Sequence, residues 1–501
     1  MSYVVGIDIG TTSTKAVAFT AKGEVLGSAG ASYPVFTDAD GRHELDPDQL
    51  FEAVLSVLKE VRTVGHAPKS EGRDRSDGWP AAVSFSCAMH SLILVDKQGK
   101  PLTRAMTWAD LRSEAYAAAL KGSEAGRRIY RQTGTPIHAM SPLCKLLWLK
   151  DKQPALFGQA AHFIGIKEYI WWKLFGKYKV DLSIASATGL LDIRAFHWNA
   201  ESLELAGIQA GQLSEPVSCM HSESGLLPVW QSLGLPEGLR FIIGASDGCL
   251  ANLGTGAVKS GATALTIGTS GAVRMAAVRP EYDKQERLFS YILTEDLYIC
   301  GGATNNGGNA VQWYADLVLG QGKWDGAALD RLAAEAEDVP AGCEGLIFLP
   351  YLLGERAPIW DADAKGVFFG IRALHRQGHF MRAILEGISF GLKQIGASLE
   401  ETIGPIGAIY ASGGFTRNTA WLQLIADVFM KKVCVTAQAD ASAIGAAMLG
   451  WHALGVFLGL EEAASLAKVV ATYEPDSDRH GVYQKNYRVF VELYGRLRDL
   501  M

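Results

Sequence analysis

Asp247 is the lone acid in the small-residue stretch Gly244-Ala245-Ser246-Asp247-Gly248-Cys249-Leu250. It follows the apolar run Phe241–Ile243. A carboxylate at a strand end, flanked by residues that allow close approach, suits a general base for a hydroxyl. A helix N-cap uses the same residue type. Asp8 is a second isolated acid, in Gly6-Ile7-Asp8-Ile9-Gly10-Thr11-Thr12-Ser13-Thr14-Lys15. Its strand opens onto a glycine and hydroxyl turn, whose backbone N–H groups and side chains can wrap an anion. Lys15 adds a point charge for phosphate. A carboxylate at Asp8, near polyphosphate, suits a hydrated Mg²⁺. The string lacks Walker A spacing, and a strand follows it rather than a helix. A tight hairpin with Asp8 capping a turn is the plain structural alternative.

Leu265–Val278 repeats this pattern as an apolar strand, Gly268-Thr269-Ser270 and a second apolar strand. Gly10 and Gly268 lie 258 residues apart, about half the chain. That distance far exceeds solenoid and propeller periods. It points to two similar domains facing one another, with a ligand between them. A third glycine turn, Ile409–Asn418, ends a strand in Gly413-Gly414 and places Asn418 to cap a helix. Side-chain-free backbone there admits a flat ring such as adenine. Met89-His90 and Trp108, Asp110 and Arg112 follow strands and together offer donors, an acceptor and an aromatic face, as a polyol site needs. A histidine alone is more often structural, and Asp110–Arg112 also reads as a simple ion pair.

The elements that must hold these residues alternate between strand and helix, which indicates an α/β protein. Tyr3–Ile9, Lys15–Thr20 and Val25–Ala31 read as an antiparallel meander. Asp46-Pro47 reads as an N-cap and first helical residue, followed by Leu50, Phe51, Val54, Val57, Leu58 and Val61 at helical spacing. His66–Trp79 reads as a surface loop, and Arg128–Ala210 as an insertion or cap. The 501 residues are 48% hydrophobic and 20% charged, with net charge −6. That length implies more than one domain, since single cores rarely exceed about 250–300 residues. There is no dense basic run beyond Arg73–Arg75, so a nucleic-acid partner is not expected. No apolar stretch suits a membrane span or signal peptide. The seven cysteines form no CxxC pair and read as buried thiols of a cytoplasmic protein.

On these residues the chain resembles the FGGY family of carbohydrate kinases, within the ribonuclease H-like superfamily that also holds actin and hexokinase. The opening loop matches the family's first phosphate motif, Leu265–Arg274 the second, and Ile409–Asn418 the adenosine motif. Met140-Ser141-Pro142 with Lys145, Leu146, Trp148 and Leu149 fits one longer family pattern, from which Lys152 departs. Gly366–Glu386 fits the other throughout. The resemblance implies two ribonuclease H-like domains around a central cleft. Residues 1–243 would carry the sugar site and first phosphate loop, and residues 244–501 the second phosphate loop and adenosine site. It implies ATP and Mg²⁺ as cofactors, a small-molecule sugar or sugar acid as substrate, and a homodimer.

Carried over residue by residue, Asp247 is the base and Asp8 positions the metal. Thr11, Thr12 and Lys15 hold phosphate from one side, Gly268 and Thr269 from the other. Gly308, Asn309, Gly414 and Asn418 line the nucleotide site, and Met89, His90, Trp108 and Asp110 the sugar site. Strings such as "SCAMHS", "TWADLRS" and "YLLGERAPIWD" resemble gluconate kinases most. Xylulose kinases usually carry a residue such as asparagine where Gly248 stands, and glycerol kinases an Arg-Glu pair in place of Met89-His90. The expectation is phosphorylation of the terminal hydroxyl of D-gluconate, with His90, His138, Lys167 and Arg356 as candidates for its carboxylate. Xylulose or another sugar is the alternative substrate. An actin-like nucleotide switch or filament is the non-enzymatic alternative, against which Asp247 and the polar pocket argue.

Overall fold

The computed structural model describes residues 2–62, 64, 78–322, 325–437 and 440–501. Arg73–Arg75 and most of the loop read at His66–Trp79 lie outside them. Two mixed sheets organise the chain. The first runs Ser222–Glu223, Arg240–Ser246, Ala82–Cys87, Tyr3–Ile9, Ser13–Thr20, Val25–Ser32. The second runs Phe289–Thr294, Leu297–Thr304, Gly271–Ala277, Ala262–Ile267, Ala408–Ser412, Lys432–Thr436, Val469–Tyr473. At the heart of each, three antiparallel strands are joined by two parallel ones in the same order. The half-chain echo is therefore a duplicated ribonuclease H-like sheet, and each glycine turn joins the first two strands of its own copy.

Strand Tyr3–Ile9 shows how the sequence builds both faces. Tyr3, Val5, Ile7 and Ile9 pack on helix Pro47–Val61, while Val4 packs on helix Ala441–Ala453. Alternate side chains point to opposite faces of a strand. Asp46 caps the first of these helices through its side chain, with Pro47 at its first position. The insertion is larger than Arg128–Ala210. It takes in the chain between strands Ala82–Cys87 and Arg240–Ser246 apart from the edge strand Ser222–Glu223, including helices Glu124–Thr133, Pro142–Lys152 and Ile166–Phe175.

The 243/244 junction falls inside strand Arg240–Ser246. Pairing with the neighbouring strand continues to Ala245 and Ser246 across an irregularity at Gly244. Gly244 has φ 73°, and a Cβ there would collide with the Phe85 carbonyl. The chain leaves the first sheet only after Ser246, then enters helix Asp247–Gly254.

That helix and helix Ala441–Ala453 occupy equivalent places, each following the fifth core strand of its sheet. They lie against one another between the two sheets, in a core shared with Val4, Phe19, Ile242, Phe289, Tyr291 and Leu293. Their approach is backbone to backbone. A Cβ on Gly445 would collide with the Leu250 carbonyl, one on Gly254 with the Ala441 carbonyl, and one on Gly6 with the Ala443 carbonyl.

Candidate active site

Asp247 is the first residue of its helix, and Ser246 takes the capping role by accepting from the Cys249 N–H at 3.4 Å. Among the described residues, the Asp247 carboxylate accepts only locally, from the Gly248 N–H at 2.6 Å, and borders a cavity of about 250 Å³ between the two halves. Burial pushes its pKa up, against the pull of Arg274, the Gly248 N–H, Lys167 and Arg356. Asp8 accepts from the Ser86 hydroxyl at 2.6 Å. Burial, and then the Asp247 charge, push it up to about 6, with Ser86 and Lys15 acting the other way. A buried carboxylate whose proton is held by the charge of a second carboxylate marks a place a divalent cation would fit, and oxygen ligands suit Mg²⁺.

Met89, His90, Trp108 and Met140 supply the first-half wall of the cavity. His90 sits at φ 67°. Its Nδ1–H donates to the Ala187 carbonyl at 2.7 Å, leaving Nε2 as an acceptor 3.5 Å from the Tyr291 hydroxyl. Burial and the Lys145 charge hold its pKa down at about 3, so the ring is neutral. The Trp108 indole donates to Thr11 Oγ1 at 3.1 Å, joining this wall to the first glycine turn. Asp110 is not among the lining residues. Its carboxylate is bound by Arg112 at 2.6 Å, which also pairs with Glu44 at 2.6 Å, and it accepts from the His43 N–H. The pair is a buried strut beneath the wall.

The opposite wall carries two guanidinium groups. Arg274 lies on strand Gly271–Ala277, reaches Thr266 Oγ1 at 3.4 Å and faces Asp247. It was absent from the expected set. Period-two alternation from Ala272, which also lines the cavity, is the signal that finds it. Arg356 lies 4.6 Å over the Trp108 ring and donates from Nη2 to the Thr304 carbonyl at 3.1 Å. Its buried Nε has no partner among the described residues. Burial lowers its pKa to about 10, so it stays charged at neutral pH. The neighbouring Glu355 is spent elsewhere, on Thr304 Oγ1 at 2.5 Å and the backbone N–H groups of Asn305 and Arg356.

The other two carboxylate candidates are engaged or set back. Lys167 is paired with Asp181 at 2.7 Å and donates to the Ala245 carbonyl at 2.8 Å, bracing the strand below Asp247. His138 accepts from the Met140 N–H at 3.1 Å and packs against Trp360 at 5.2 Å; burial and Arg356 hold its pKa at about 3.

A second cavity, of about 640 Å³, is lined by Gly308, Gly414, Asn418 and the apolar side chains of Val311, Met381, Leu385 and Phe415. Gly268 borders both cavities, with Thr269 exposed beside it. A chain of phosphates crossing Gly268 would connect the two. The Gly308 N–H donates to the Gly268 carbonyl at 2.8 Å and the Asn309 N–H to the Thr269 carbonyl at 3.1 Å. The Asn309 side chain closes its own turn and does not line the cavity. Asn418 Oδ1 caps helix Thr419–Phe429 at the Trp421 N–H. Lys15 pairs with Asp440 at 2.8 Å. Thr12 lies next to Thr11 in the turn, where its carbonyl accepts from the Tyr33 N–H at 3.3 Å.

Paired like domains, a buried carboxylate beside a polar cavity, and glycine turns leading to an apolar pocket define a phosphoryl-transfer enzyme of the two-domain sugar kinase kind. The N-terminal domain of the FGGY family of carbohydrate kinases matches residues 3–254, and its C-terminal domain matches residues 263–454. The chain belongs to the FGGY family of carbohydrate kinases, and is an ATP-dependent sugar kinase. It is 39% identical over 508 residues to a gluconokinase of Bacillus licheniformis, covering 99% of this chain and 96% of that one. It is 28% identical over 503 residues to a xylulose kinase of Bacillus subtilis, covering 100% and 98%. Among solved structures it resembles a gluconate kinase from Lactobacillus acidophilus, at TM-score 0.91 and 34% identity over 99% of this chain and 98% of that one. Among the described residues, no helix is long and apolar enough to cross a membrane.

Proposed function

We propose that this kinase transfers the γ-phosphoryl group of ATP to the terminal hydroxyl of D-gluconate, giving 6-phospho-D-gluconate. The observation that carries this reading is the Arg356 guanidinium. It is a buried cation in the cavity wall with an unpartnered Nε and with its neighbouring carboxylate already occupied. A charge held in that state favours an anionic substrate, because a carboxylate would satisfy it with charge-assisted hydrogen bonds. A neutral pentulose or glycerol would not. The greater identity to gluconokinases than to xylulose kinases supports the same choice.

Asp247 would accept the hydroxyl proton as the new O–P bond forms, since an alcohol is too weak an acid to lose it earlier. Phosphoryl transfer depends mainly on positioning and charge stabilisation. Arg274, facing Asp247, would neutralise charge developing on the phosphoryl oxygens. Asp8 would hold Mg²⁺ through water, and the ion would supply further charge neutralisation there. Lys15 would exchange Asp440 for phosphate. Approach of the two halves would exclude water, the competing acceptor.

The test is ADP release from ATP and Mg²⁺ with gluconate, xylulose, ribulose, glycerol or no sugar. Strong stimulation by gluconate alone is expected. Stimulation by xylulose instead would overturn the substrate while leaving the roles of Asp247 and the glycine turns in place.

A further inference from the structure

Lys145 is 1% exposed and forms no ion pair among the described residues. It sits in the first turn of helix Pro142–Lys152, next to the positive end of the helix dipole. Burial and dipole both disfavour a cation there, and an aliphatic side chain would fill the space at less cost. The ammonium is nevertheless satisfied. It donates to the carbonyls of His90 at 2.5 Å, Thr107 at 2.6 Å and Met140 at 2.9 Å. A lysine has three N–H donors, and all three are used.

The three acceptors come from separate stretches: the turn after strand Ala82–Cys87, the segment after strand Ala105–Met106, and the turn before helix Pro142–Lys152. His90 and Met140 line the sugar cavity, and Thr107 precedes Trp108, which also lines it. Lys145 thus touches each stretch that builds the first-half wall and reaches none of the cavity itself.

We infer that Lys145 is a positioning residue that sets the shape of the sugar cavity by tying the three chain segments of its first-half wall to one ammonium group. The inference rests on reading this cavity as the sugar site. It does not depend on which sugar is used.

Lys145→Met keeps the aliphatic stem and removes the donors. Lys145→Arg keeps the charge, but its planar fork does not match three convergent carbonyls. Each is assayed with whichever sugar the wild-type enzyme accepts, so that failure of gluconate as substrate stays a separate result. Both variants are expected to raise the sugar KM at least tenfold while the ATP KM stays within about twofold. Loss of folded enzyme alone would lower Vmax and leave both KM values unchanged; that result, or an equal rise in both, overturns the inference.

Should neither variant fold, the wild-type pH profile decides. Burial lowers the Lys145 pKa to about 7, against the Asp110 charge. The other groups around it are Arg112, Cys144, His43, His90 and His138. His90 and His138 are held near 3, His43 is lowered, Cys144 is raised to about 11 and Arg112 is raised. Above about pH 7 the tripod loses a donor, so the sugar KM should climb several-fold by pH 9 with the ATP KM flat. A flat sugar KM overturns the inference.

Discussion

Asp247→Ala should lower turnover by about 10²–10⁴-fold, the usual contribution of a positioned base, while ATP still binds. Stopped-flow or steady-state ADP release beside a nucleotide-binding titration checks both halves of that statement. Asp8 gives a stability prediction of opposite sense. Its carboxyl rises from 3.8 to about 6 on folding, so the native state holds its proton more tightly. The native state is therefore favoured at low pH and loses that advantage as pH rises from about 4 to about 6. Asp8→Asn should raise the unfolding midpoint at pH 7 by a few degrees, leave it unchanged near pH 3.5, and abolish activity. Differential scanning calorimetry at the two pH values separates these outcomes. Asp8 and Asp247 were legible in the sequence because each is a single acid among glycines and apolar residues. Asp110 was misleading, since its fate depends on Glu44, 66 residues away, which fixes Arg112 in place. Arg356 was legible only as one of four candidates for the carboxylate, because its lack of a partner is a property of packing.

The element that matters most for positioning is the helix pair Asp247–Gly254 and Ala441–Ala453. Its glycines are there for contact rather than for turning, since the backbones meet at Gly254 and Gly445 with no room for a Cβ. Gly445→Val should cost several kcal/mol by overpacking, and any folded fraction should show reduced turnover, because Leu250 lies on the same short helix as Asp247. Urea unfolding and the specific activity of the soluble fraction measure the two effects. The meander, the glycine turns and the Asn418 cap were readable because apolar alternation and cap residues are local signals. The extent of the insertion was not. Its strands His162–Ile164 and Lys179–Asp181 have three residues each, too short to show a period.

On the scale of the whole molecule, the half-chain echo disclosed the duplication, but no local pattern told which half each linking helix would cover. The Lys15–Asp440 pair spans that division, from the strand after the first glycine turn to the start of the helix from the second half. The Lys15 and Asp440 side chains are 51% and 34% exposed, so the pair is worth about 0.2–1 kcal/mol. Asp440→Asn should therefore lower the ATP KM by at most about fivefold, by freeing Lys15, and leave thermal stability nearly unchanged; an ATP titration with a parallel melting curve tests it. The packing of the second-half helix on the first sheet also has a consequence for biosynthesis. Strand Tyr3–Ile9 leaves the ribosome long before the helix that covers its Val4 face, which begins at Ala441. At about 5–20 residues per second, the nascent sheet waits tens of seconds or more with one apolar face bare, so its safe passage falls to chaperones that shield such surfaces until that helix has been made.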